Sequence, residues 1–92
     1  MGMNAEYQHL KDSLKKLLAE IGKIESVDNQ SREKLDRLAS SVQLKLDHPQ
    51  DARHHQDLIE HLDDAIDHFE VSHPDLTAIM NTIMMTLGNL GI

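Results

Sequence analysis

Five side chains in the middle of this chain have the types and spacing for chemistry: His54, Asp57, His61, Asp64 and His68, separated by three, four, three and four residues. On an α-helix this spacing puts them on one face, each one turn from the next. An imidazole and a carboxylate one turn apart, as in Asp57 with His61 or Asp64 with His68, are a ligand pair for a divalent transition metal. Imidazole also exchanges its charge close to neutral pH. One helix, however, supplies only two or three ligands, so a tight site needs a second helix or a second copy. No zinc signature of the His-Glu-x-x-His type is present, and His54-His55 with His61 does not reproduce it. The plainer reading is a solvated shoulder held by local His–Asp hydrogen bonds, and no metal and no cofactor are expected. A metal- or pH-responsive protein using this stripe is the alternative.

Other chemistry is poorly provided for. The chain has no Cys, no nucleophile elbow and no glycine-rich phosphate loop, and its carboxylates are spread as on solvated helix faces. His73 before Pro74 reads as a turn-shaping residue. The expectation is a protein that is not an enzyme. The net charge of −7 is unevenly laid out: residues 1–46 hold eight Lys/Arg and seven Asp/Glu. Residues 47–75 hold nine acids against Arg53 alone, with six of the seven His, and nothing after Asp75 is charged. Without a basic patch, and with only Tyr7 and Phe69 as aromatic residues, the chain lacks the means to bind nucleic acid. No apolar leader is evident, so a cytoplasmic location is expected.

The elements that must carry these residues are helices. Few Gly and Pro, no β-branched run and an aliphatic complement rich in Leu, Ile and Met predict an all-α domain of 92 residues. Helix one is predicted over about 4–26, with Met3, Tyr7, Leu10, Leu14, Leu17, Ile21 and Ile24 in a heptad stripe. Gly22 within it is expected to be tolerated rather than needed. Helix two is predicted over 29–47, with Asp28 or Asn29 as N-cap and Leu35, Leu38, Ala39, Val42 and Leu46 on one stripe. Pro49 ends that pattern. Helix three is predicted over 52–71, with Leu58, Leu62, Ala65, Ile66 and Phe69 facing the core. Ser72-His73-Pro74-Asp75 has the form of a capping box at a sharp corner, and helix four follows over 73–90. The four form an up-and-down bundle-like domain. Lys11, Lys15, Lys16 and Lys23 of helix one are expected near the helix-three acids, in the same chain or in a partner.

The order F-E-x-S-H-P-x-L from Phe69, then an uncharged helix, then L-x-x-L-G-I at the end resembles the short bacterial helical proteins grouped as domain of unknown function 4404. The resemblance implies a small bacterial helical protein and brings no activity or site residue with it. Leu76, Ile79, Met80, Ile83, Met84, Leu87 and Leu90 form a broad apolar face on helix four. That face is expected to serve as the core of the subunit, as the interface of a homodimer, or as both, in a small interaction module with room for an unidentified protein partner. Asn81, Asn89 and the Thr and Gly interruptions make this segment too short and too polar to span a bilayer, and no basic flank adjoins it. Membrane contact is therefore not expected.

Overall fold

A computed structural model describes residues 5–25 and 28–89, and every regular element among them is an α-helix. They are α1 (Ala5–Lys23), α2 (Asn29–Asp47), α3 (Ala52–Phe69) and α4 (Pro74–Asn89). Helix two has the bounds its sequence predicts. Asp28 is its N-cap, accepting the Ser31 N–H at 2.8 Å on Oδ1 and so satisfying one orphan donor of the first turn. Asp51 does the same for α3 through the Arg53 N–H.

Three ends differ from expectation. Helix one stops at Lys23 rather than Ser26: the Ile24 N–H reaches back only three residues, to the Ile21 carbonyl, and the Ile24 carbonyl is taken by the Arg32 guanidinium at 2.7 Å. That contact fastens the end of α1 to the start of α2. Helix three stops at Phe69 rather than Val71, and the His73 N–H closes the corner on the Phe69 carbonyl at 2.8 Å. Helix four begins at Pro74, one residue later than read. Proline therefore occupies the first helical position, where its missing N–H is harmless. The Ser72 hydroxyl bonds Nδ1 of His73 at 2.9 Å, so the corner differs from the capping box read from the sequence. Met3, Ser26, Leu90 and the Gly91-Ile92 ending lie outside the described residues.

The core is the sum of the predicted stripes. Leu10, Leu14, Leu17 and Ile21 of α1 meet Leu35, Leu38 and Val42 of α2. Leu58, Leu62, Ala65 and Phe69 of α3 and Leu76, Met80, Ile83 and Leu87 of α4 complete it. Each helix packs on the two that flank it in a ring, α1–α2–α3–α4 and back to α1, most closely along α2–α3 and α1–α4. Among the described residues the diagonal backbones, α1 with α3 and α2 with α4, do not meet. This corrects the expected pairing inside one chain. Among the described residues no ion pair joins a lysine of α1 to an acid of α3, and Lys34 of α2 takes Asp64 instead at 2.7 Å.

Candidate functional site

The stripe from His54 to His68 lies where α3 turns toward α2. Its apolar neighbours Leu58, Leu62, Ala65 and Phe69 point into the core, and residues one position earlier in each turn fall on the α2 shoulder. There they meet a matching row on α2: Ser31, Lys34, Ser41 and Lys45. The Ser31 hydroxyl is 2.8 Å from Nε2 of His68, and the Ser41 hydroxyl is hydrogen-bonded to Nδ1 of His61. Lys34 bridges to Asp64 between them. The local His–Asp bonds expected along α3 are replaced by bonds across the seam, because a half-buried imidazole gains more from a hydroxyl facing it than from a carboxylate lying in water. Of the four candidate ligands, His61 and His68 turn toward serines, Asp64 toward a lysine, and Asp57 outward into solvent. Among the described residues no three His, Asp or Glu side chains converge as a metal-holding group.

At the end of the seam nearest the α2–α3 turn, the row closes on a buried cation. Lys45 is 3% exposed; its ammonium donates to the Pro49 carbonyl at 2.9 Å and stands 3.4 Å from Nδ1 of His55, itself buried. Desolvation pushes the Lys45 pKa below the ordinary lysine value. The sequence reading missed Lys45 and the two serines. The signal was there, since Ser31, Lys34, Ser41 and Lys45 fall at helical spacing beside the apolar row of α2. Beyond Lys45 the His48 and His54 rings lie 5.5 Å apart, and Nε2 of His54 is 3.7 Å from Asp51. Asp51 is held far below the usual carboxylate range, at about 2, by the side chain and backbone N–H of Arg53. At the opposite end Phe69 is met edge-on by the rings of His68 and His73. Along its middle the seam is a set of cross-helix fasteners, Ser31 with His68, Lys34 with Asp64 and Ser41 with His61, while near the α2–α3 turn Nδ1 of His54 is buried without a hydrogen-bond partner.

On helix four the core reading holds for four of the residues also expected at an interface. Leu76, Met80, Ile83 and Leu87 are at most 4% exposed within a single subunit. They are interior because α1 and α3 close over them, so they are not available to a second copy. Ile79 and Met84 lie half-buried on the margins of the core, and Leu90 is outside the described residues. What α4 presents outward is a different row: Asp75 in its first turn, then Ala78, Asn81, Thr82, Met85, Gly88 and Asn89, all exposed and none charged after Asp75. Met85 is 70% exposed. On one side of this row a shallow groove of about 270 Å³ separates α4 from α1, lined by His9, Asp12, Ser13 and Lys16 against Ile79 and Thr82. On the other side lies the α4-facing shoulder of α3. No described helix is long and apolar enough to cross a membrane.

The family described as domain of unknown function (DUF4404) matches residues 10–92, almost the whole length of the chain. No curated protein and no solved structure matches it.

Proposed function

The chain belongs to the DUF4404 family, and we propose that it is a non-catalytic, self-associating helical module that docks on a second copy of itself through the outward face of α4. The observation that carries this reading is the absence of charge along that face. In a protein with 27% charged residues, the helix flank beyond Asp75, from Ala78 to Asn89, exposes only amide, hydroxyl, methyl and thioether groups, with Met85 standing clear at its centre. Small residues allow a second helix to approach closely, and Met adapts its shape to whatever covers it. A domain this small also gains more than a large one from added burial. Ser31 with His68, Ser41 with His61 and Lys34 with Asp64 are paired across the α2–α3 seam, which supports a structural role for these six groups.

Light scattering at micromolar concentration should give twice the subunit mass of 10.4 kDa. Met85→Asp is the test variant. Its side chain is outside the core, so the subunit should stay folded by circular dichroism while the dimer dissociates. A monomer that persists for the wild-type chain at all concentrations overturns the reading.

A further inference from the structure

Where the helices sit around the ring also fixes how two copies can face each other. Consider two subunits meeting along α4, each with α1 on one flank of that helix and α3 on the other. A twofold axis running along α4 makes the two copies of α4 parallel and sets each α1 against the partner's α3. A twofold axis across α4 makes them antiparallel and sets α1 against α1, and α3 against α3. The two flanks differ in charge. Ile59 and Ile66 of α3 are half-buried on the shoulder away from α2, which places Asp63 and Glu70 on the α4 side with Asp67 just beyond. All three are exposed, and α4 offers them no cation. The α1 flank is balanced: Glu20 is bridged to Lys23 at 3.1 Å, Asp12 accepts from Gln8, and Lys16 lines the groove beside Ile79 and Thr82.

We infer that the second copy docks with its α4 parallel to the first, so that Lys16 of each subunit faces the partner's Asp63 and Asp67. The inference rests on the self-association reading and adds its orientation. Antiparallel docking would appose two flanks of three uncompensated acids each, which costs free energy, whereas parallel docking brings together only the Asp75 pair at the start of α4 and apposes each acidic flank with one that carries Lys16. The heights agree as well. A twofold axis along α4 leaves every residue at its own level. Counted back from the corner, Asp63 and Asp67 fall close to the level of Ile79, where Lys16 sits.

The chain contains no cysteine, so single cysteines report without interference. In parallel docking same-numbered residues oppose each other, and both Ala78→Cys and Met85→Cys should form intersubunit disulfides under mild oxidation. Positions seven apart on a helix are separated by roughly 10 Å, so antiparallel copies cannot align both with themselves. Failure of both variants to self-link, with an Ala78→Cys/Met85→Cys mixture linking across, would overturn the orientation while leaving the dimer intact. A wild-type monomer by light scattering would instead remove the reading beneath it. Independently, Lys16→Glu should raise the dimer dissociation constant about twofold to thirtyfold at low salt, two symmetric surface pairs being lost. Adding Asp63→Lys and Asp67→Lys should restore it, and 1 M salt should erase the difference. A Lys16→Glu dimer as tight as wild type at low salt counts against parallel docking.

Discussion

Asp51 and Asp28 tie the stability of the fold to pH at the acid end, and Lys45 does so at the basic end. Asp51 caps α3 as a carboxylate, and its pKa near 2 in the folded chain lies below the ordinary value of 3.8. Asp28, capping α2, is lowered for the same kind of reason, the Ser31 backbone N–H foremost. A depressed carboxylate contributes stability that is present above its unfolded value and is lost as pH falls through the folded one. The melting temperature should therefore drop between about pH 4 and pH 2, and Asp51→Asn should flatten that part of the profile. Lys45 acts at the other end. Its folded pKa is lowered by burial, so the unfolded chain holds the proton more tightly, and the penalty is relieved as pH rises toward 10.5. Lys45→Met should raise the melting temperature at pH 7, and its advantage over wild type should shrink as pH approaches 10. A constant difference across that range would mean that the ammonium is not what the burial penalises. At this scale the sequence was only partly legible. The stripe on α3 is visible in the spacing, but that spacing pairs each imidazole with a carboxylate one turn away on the same helix. Which neighbour an imidazole faces depends on the rotation of two helices about their axes, and no spacing within one segment records that.

Between elements, legibility was higher. Each apolar stripe became a core face, and Asp28 and Pro49 set the bounds of α2 as their chemistry requires. Helix ends away from a strong cap were the weak point, because the last turns of α1 and α3 are decided by contacts from elsewhere, Arg32 on the Ile24 carbonyl and His73 on that of Phe69. Gly22 is a clean test of element-level energetics. A Cβ added there meets no atom within 4 Å, so no close helix approach requires glycine. Gly22→Ala should then stabilise the domain by about 0.5–1 kcal/mol through the unfolded chain's lost freedom and better helix propensity. Thermal or urea denaturation would show it. A destabilised variant would mean that helix propensity does not limit the stability of this end of α1.

For the whole molecule, the all-α class, the four helices and the corner at Ser72-His73-Pro74 could be read from the chain, whereas the ring order could not. The ring order decided that the broad face of α4 is interior and that α1 and α3 stand apart. It has a further consequence, in time rather than space. Three of the four helix contacts join neighbours in sequence, across short turns whose closure is cheap. The fourth, α1 on α4, joins the two ends of the ring and can form only when the helices between them are in place. Folding should thus be fast, with the α2–α3 hairpin organised in the transition state and the α1–α4 contact completed after it. Leu38→Ala or Leu62→Ala should mainly slow refolding, and Leu14→Ala or Leu87→Ala should mainly speed unfolding, as read from stopped-flow chevrons at a chain concentration low enough to keep the subunit monomeric. If the two pairs divide the other way, the ring closes first and the hairpin assembles inside it.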